Sequence, residues 1–410
     1  MRITVLFDNL GPYHLARLTA AAERCELTAI ELHAKSRDYL WRRDDSNTAF
    51  ARRTVFGDSA GEADSRAPVA MLTEAIQKSA PQVMAIPGWS GWHAFAALDW
   101  CIANKVPAVV MSESTAHDEP RKPWKEWIKR KYVGLCSAAL VGGTSHEQYL
   151  LQLGMRADKI FFGYDTVDNR HFGEKGAPIR AAESEWRQRL ALPSRYFLAS
   201  SRFIAKKNLA TLLTSYAEYR AALAAESTAH RPWDLVLLGD GELRESLLAL
   251  REQLGLAACV HFPGFQQYDV LPAYYSLASA FVHASMVEPW GLVVNEAMAS
   301  GLPVLVSNRC GCAPSLVQDG ENGHTFDPAD TVAITNCLLE MTRLSSAARD
   351  TMGRRSREIV DEYAPESFAA GLHDAASVAL ASQAKDIRLV DKLVLHSLLR
   401  SSAAPRRRIA

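Results

Sequence analysis

Short apolar runs alternate with longer segments of helical period along most of the chain. ITVLF (3–7) precedes LARLTAAAERC (15–25). VMAIP (83–87), WHAFAALDWCIANK (92–105) and PAVVMS (107–112) repeat the pattern, as do AALVGG (138–143), SHEQYLLQLG (145–154) and KIFFGYDTVD (159–168). Val-, Ile-, Leu- and Phe-rich runs without polar alternation, set between helices, predict parallel strands covered on both faces. From about 174 to 194 the chain turns polar and Ala-rich and reads as a connection. A second series follows with YFLASS (196–201), WDLVLLGDG (233–241), CVHFPGF (259–265), SAFVHAS (279–285) and LPVLVS (302–307). The pattern predicts an α/β protein of two Rossmann-like domains, 1–175 and 195–364, joined by a linker at 176–194. Helices over 365–410 are expected to pack back on the first domain and to end in the basic tail PRRRIA. Ligands of open parallel sheets sit at the carboxyl ends of the strands. Two such sheets facing an interdomain cleft would place the chemistry in the strand-end loops.

Composition narrows the class. The 410 residues are 48% hydrophobic and 22% charged with a formal net charge of zero, which suits a globular protein and gives no footprint for nucleic acid. No apolar run reaches the roughly 18–20 residues of a membrane-spanning helix. MRITVLFDNL reads as a buried first strand rather than a leader. Seven scattered cysteines fit reduced thiols in a cytoplasm. Cys310 and Cys312 form a C-x-C without a second ligand pair, so no metal site is expected.

Four strand-end segments carry candidate chemistry. EPWGLVVNEAMASG (288–301) holds Glu288 before a helix that starts at Gly291 and stops at Gly301, with Glu296 in its second turn. The amides of Gly291, Leu292 and Val293 would be unpaired first-turn donors, and the two carboxylates would accept from hydroxyl pairs such as those of a sugar or ribose. The plainer reading is one solvent-facing and one helix-stabilising Glu. SSRFIAKKNL (200–209) places Arg202 and Lys207 at a spacing that lets both cations meet one anion and stabilise charge developing on a leaving diphosphate. In LLGDGEL (237–243), Gly239 permits close backbone approach. In PGF (263–265), the backbone near Phe265 is placed to read a planar base. DNLGPYHL lacks the G-x-G-x-x-G of a dinucleotide-binding dehydrogenase.

SRFIAKKN, GDGEL, HFPGF and EPWGLVVNEAMASGLPVLVSN, in this order and spacing, resemble the family-4 retaining glycosyltransferases of the GT-B fold. The resemblance covers about 196–330 strongly and the first domain weakly, through DNLGPYHLARL and GYDTVDNRHF. It implies a bacterial enzyme that moves a hexose from a nucleotide-diphosphate sugar, UDP- or GDP-linked, to a glycan or lipid-linked acceptor, by front-face attack and without a metal. Such enzymes often build surface polysaccharide or lipopolysaccharide. By resemblance, Arg202 and Lys207 hold the diphosphate, Glu288 faces the transferred sugar, Glu296 holds the ribose, and Gly11 lies near diphosphate and acceptor. A first-domain His of the family has two candidate counterparts here, Glu113 and His117. One departure is CGCAPSLV, where Cys312 and Ser315 stand in place of the second Gly and the Glu of a Gly-Gly-x-x-Glu turn. The same scaffold would also suit a sugar-nucleotide epimerase, a phosphorylase or a non-catalytic nucleotide-binding module.

RKPWKEWIKRK (121–131) packs six basic residues and two tryptophans into eleven positions. Trp124, Trp127 and Ile128 share one helical face. That pattern fits an interfacial helix on an anionic membrane surface, and hence a cytoplasmic enzyme peripheral to the inner face of the membrane. It equally fits a solvated helix whose tryptophans turn inward.

Overall fold

The computed structural model describes residues 1–34, 41–43, 48–57, 67–226, 230–382 and 388–403. The chain divides into two compact units, Met1–Thr166 with Pro365–Ala410, and Val167–Ala364. The tail PRRRIA lies outside the described residues.

The first unit is built on a seven-stranded sheet of β1 (Arg2–Phe7), β2 (Glu26–His33), β3 (Ala51–Phe56), β4 (Val83–Pro87), β5 (Ala108–Ser112), β6 (Ala138–Val141) and β7 (Ile160–Phe162). The order is β3-β2-β1-β4-β5-β6-β7 and every pairing is parallel. Successive side chains of a strand face opposite ways. Ile3, Val5 and Phe7 therefore enter one apolar cluster with Phe368, Leu372 and Ala376, while Leu6 enters another with Ile86, Phe95 and Leu98. The Pro365–Ala381 helix thus covers one face of this sheet together with the Pro12–Ala22 helix, whose Leu18 and Ala21 enter the same cluster. Gly371 lets it sit against β7, since a Cβ there would lie 1.9 Å from Phe162 O.

The second unit holds β8 (Tyr196–Ser200), β9 (Asp234–Leu238), β10 (Val260–Gly264), β11 (Ala280–His283), β12 (Val304–Ser307) and β13 (Gly323–Phe326), in the parallel order β10-β9-β8-β11-β12-β13. Phe197, Leu235 and Val282 are buried with Leu212, Tyr216, Tyr219 and Trp233. In each unit the strand order reverses once, at β1/β4 and at β8/β11. Those are the places where loops diverge and leave a crevice at the carboxyl edge.

Several boundaries differ from those expected. The stretch 176–194, expected as a linker, is helical over Asn169–Ala181 and Glu183–Leu190. Phe172, Gly176 and Ile179 form its buried stripe, a signal masked by the polar residues between them. The first helix runs Pro12–Ala22 and stops short of Cys25 because β2 begins at once. KIFFGYDTVD is strand only over Ile160–Phe162. At Gly163 (φ +112°) the chain passes so close to the Pro365–Ala381 helix that a Cβ would meet Ser367 O at 2.4 Å.

Candidate active site

In the second unit the site residues converge at the β8/β11 switch point. After β8 the backbone is clamped to the β9 loop: Ser201 N–H bonds Leu238 O at 3.0 Å and Phe203 N–H bonds Asp240 O at 2.8 Å, with half-buried Arg202 between them. Gly239 and Gly241 make this approach feasible. A Cβ on Gly239 (φ +127°) would stand 1.8 Å from Ser201 O, and one on Gly241 (φ +155°) 2.7 Å from Phe203 O. Their need for glycine is met by protein backbone. A turn over Ala205–Lys207 follows, and Lys206 O accepts from Met286 N at 2.8 Å, tying the β8 loop to the β11 loop.

That tie brings Lys207 Nζ against Glu288 Oε2 in an ion pair with both side chains largely buried. The same oxygen takes His283 Nε2 at 3.0 Å and Ser285 Oγ at 3.3 Å. An ionised carboxylate only accepts, so His283 donates from Nε2. Burial pushes the His283 pKa down and outweighs Glu288, so the ring is neutral. Burial alone would raise Glu288, but the His283 hydrogen bond and the Lys207 charge hold it well below the usual carboxylate range. The result is an ionised carboxylate with a fixed orientation beside a cation.

The following turn is equally constrained. Gly311 N–H bonds Glu288 O at 2.9 Å, and buried Trp290 donates Nε1–H to Asn295 Oδ1 at 2.9 Å. Gly291 (φ +111°) then caps the Leu292–Ala299 helix, placing Leu292 and Val293 in its first turn. Glu296 faces inward with 1% exposure, and its Oε2 accepts from the Tyr275 hydroxyl at 2.5 Å. Burial, then Glu296, drives the Tyr275 pKa far up, so that hydroxyl stays a donor. Phe265 is half-buried directly after Gly264 (φ +83°) at the end of β10. Cys310 and Cys312 are buried free thiols. Among the described residues no group of three His, Cys, Asp or Glu side chains is placed to hold a metal ion.

The first unit gathers a separate cluster at its own strand ends. Gly11 N–H bonds His14 Nδ1 at 3.1 Å at the start of the Pro12–Ala22 helix, and the His14 ring packs on Phe7 at 4.4 Å. Burial, with help from Arg17, pushes the His14 pKa down to about 3. Arg17 is buried, donating Nε–H to Thr166 O at 2.9 Å. Asp165 is fully buried, with its pKa well above normal through burial first and then the neighbouring Glu113. His146 Nδ1 lies 4.0 Å from Asp165 Oδ2. Of the two candidate counterparts after β5, Glu113 belongs to this cluster. His117 is exposed on a turn, where its backbone N–H bonds Thr115 Oγ1 at 3.2 Å.

Four contributors lie outside the four strand-end motifs: His283, Ser285, Tyr275 and Asp165. His283 alone had a usable signal, as a histidine closing the strand AFVH five residues before Glu288.

Over 121–131 the tryptophans do not turn inward. Trp124 is 60% and Trp127 46% exposed on the Pro123–Leu135 helix, whereas Ile128 is half-buried and Tyr132 and Val133 are buried. No described helix is long and apolar enough to cross a membrane.

Residues 182–359 match the family model described as glycosyl transferases group 1. A lipopolysaccharide core biosynthesis glycosyltransferase, LpsE, of Rhizobium meliloti is 33% identical over 175 residues, which is 40% of this chain and 47% of that protein. A GDP-mannose-dependent alpha-(1-6)-phosphatidylinositol monomannoside mannosyltransferase of Mycobacterium tuberculosis is 31% identical over 206 residues, covering 48% of this chain and 51% of that protein. The chain thus spans about half the length, or less, of the curated relatives it matches. Among solved structures, Anabaena Alr3699/HepE in complex with UDP and glucose superposes with a TM-score of 0.70 at 18% identity, covering 92% of this chain and 99% of that one. WaaG, a glycosyltransferase involved in lipopolysaccharide biosynthesis, gives 0.65 at 14% identity, with 91% and 98% covered.

Proposed function

We propose, for a chain whose residues 182–359 match glycosyl transferases group 1 and whose two units have the GT-B fold, that it is a retaining glycosyltransferase. It moves a hexose from a nucleoside-diphosphate sugar to a hydroxyl of a glycan or lipid-linked acceptor. The observation that carries this reading is the convergence of Lys207, His283 and Ser285 on Glu288 at the β8/β11 switch point.

The chemistry follows from charge. When the bond from the sugar anomeric carbon to the diphosphate breaks, negative charge develops on the departing oxygen. Arg202 and Lys207 supply two cations from one loop, a stabilisation realised mainly in the transition state. The acceptor oxygen attacks on the face the phosphate leaves, and its proton passes to that phosphate oxygen. Configuration is thereby retained with no side-chain nucleophile and no metal. Glu288, held ionised and oriented, accepts from hydroxyls of the transferred sugar. Glu296 shapes the ribose side from within the helix, and backbone near Phe265 and Gly239 borders the base. Leu292 and Val293 offer first-turn amides. UDP in the HepE structure and GDP-mannose in the mycobacterial relative's name support a UDP- or GDP-linked donor. The exposed Trp124 and Trp127 amid basic residues support a membrane-proximal acceptor and a peripheral location.

A thermal-shift panel with UDP, GDP, ADP and NAD tests the reading. One nucleoside diphosphate should raise Tm, and Arg202→Ala should abolish the rise. A rise with NAD alone, or none, would overturn it. At roughly a hundred times Kd, ligand stabilisation is about 2.7 kcal/mol, visible as a shift of a few degrees.

A further inference from the structure

We propose that the Leu389–Ala403 helix joins the Pro123–Leu135 helix in one lipid-facing surface of the first unit, and that its partner is an anionic bilayer. This deepens, and rests on, the membrane-proximal reading of residues 121–131. The Leu389–Ala403 helix is docked by its inner side, where Leu395 is buried and Leu398 and Leu399 pack on the core. Its first two turns are apolar on the outer side as well: Leu389 is 74%, Val390 42% and Leu393 58% exposed. A helix with apolar residues on both sides is ordinarily covered on both. The Lys131 Nζ–Asp391 Oδ1 ion pair at 3.0 Å pins these turns beside the end of the Pro123–Leu135 helix, one turn from Trp127. Half of the ten large hydrophobic side chains exposed among the described residues lie on these two helices, so the exposure is concentrated rather than scattered.

Charge selects the occupant. The acids of the patch are already paired: Glu119 with Lys125 and Lys129, Glu126 with Lys129 and Arg121, and Asp391 with Lys131. Lys122, Arg130, Arg388 and Lys392 are exposed around the apolar residues with no ion pair among the described residues. Interfaces between protein copies are depleted in Lys. A basic rim around Trp and Leu instead matches anionic headgroups over acyl chains, with Trp at headgroup level. Each basic residue near such a surface strengthens binding roughly fivefold.

The test is co-sedimentation of the full chain with vesicles of phosphatidylcholine alone or mixed with phosphatidylglycerol. Binding should require phosphatidylglycerol and weaken as salt rises. Leu389→Ser with Leu393→Ser, and separately Trp124→Ser with Trp127→Ser, should each lower binding by at least about tenfold. Lys122→Glu with Arg388→Glu should reduce the salt dependence. Unchanged circular dichroism and an unchanged thermal shift with the nucleoside diphosphate would show that these variants keep their fold and donor site. The proposal is overturned if wild type ignores the anionic vesicles. It is equally overturned if the Leu389/Leu393 variant binds as wild type does, or if wild type forms a dimer that this variant dissolves. None of these results touches the glycosyltransferase reading, which stands or falls on the nucleotide shift in wild type.

Discussion

Lys207 of the β8 loop and Glu288 of the β11 loop are 81 residues apart in sequence, yet their side chains form a buried ion pair at the point where the strand order reverses. A cation and an anion shielded from water hold each other's charge and position, so removing one leaves the other uncompensated. Lys207→Met should therefore lower Tm as well as activity, whereas Lys207→Arg should keep most of the stability. Differential scanning calorimetry and steady-state kinetics on both variants check this.

Arg202 is clamped by backbone bonds on both sides, so its loss should not disturb the loop. Arg202→Ala is expected to lower kcat by about two to three orders of magnitude with little change in Tm. A variant altered only in KM would assign Arg202 to ground-state binding instead.

Three groups of the two strand-end clusters tie stability to acid pH. Glu288 has a folded pKa below its ordinary 4.5, so its contribution is present above that value and fades as pH falls through it. His14 and His283 are held neutral below their ordinary 6.5. They therefore also favour the fold at higher pH and oppose it as pH drops below 6.5, down to about 3 for His14. Through these three groups stability should decline from pH 6.5 toward 3, whereas Asp165, whose pKa burial raises, acts in the opposite sense. Glu288→Gln should flatten the part below 4.5, and His14→Asn the part beginning at 6.5. Denaturant titrations at stepped pH read both slopes.

Tyr275→Phe removes one hydrogen-bond donor to the buried Glu296 carboxylate. Loss of a hydrogen bond to a buried charged group costs about 1.5–3 kcal/mol. The variant should melt lower and bind the nucleoside diphosphate more weakly, with kcat less affected than KM.

Two glycines should behave differently. Gly239→Ala drives a Cβ to within 1.8 Å of Ser201 O, a backbone clash that no rotamer relieves, so the variant should misfold. At Gly291 a Cβ would lie 3.4 Å from Glu288 Cγ, leaving mainly the cost of a positive φ, about 1–2 kcal/mol. Gly291→Ala should fold and lose activity through displacement of Glu288. Soluble yield, Tm and turnover separate the two.

Glu113→Gln is expected to impair activity strongly and His117→Ala hardly at all, because Glu113 sits within the Arg17, Tyr164 and Asp165 cluster while His117 points to solvent. Equal losses in the two variants would contradict this assignment.

What could be read from the sequence was what depends on local spacing. Glu288, Gly291 and Glu296 lie on one loop and helix, and Arg202 with Lys207 on one loop, so their grouping is visible in a short string. Contacts made through the fold were hidden. Tyr275 reaches Glu296 across 21 residues, and Asp165 meets Glu113 from two strands away in the sheet. Strand β3 has no legible apolar run because it is an edge strand with mostly exposed, polar side chains, and β2 merges with the helix it follows almost without a break. The helices over 169–190 were obscured by charge density that hides a narrow buried stripe.

The Pro365–Ala381 helix sets an order of events during synthesis. The second unit is one continuous segment, 167–364, and holds all its strands before the ribosome reaches that helix. In the first unit, begun earlier, the cluster of Ile3, Val5 and Phe7 has Leu18 and Ala21 of the Pro12–Ala22 helix from the start but lacks Phe368 and Leu372 until they emerge. The half of the protein translated first is therefore completed last. A nascent chain halted before residue 365 would present the part of that apolar sheet face which the Pro365–Ala381 helix covers to the chaperones around it.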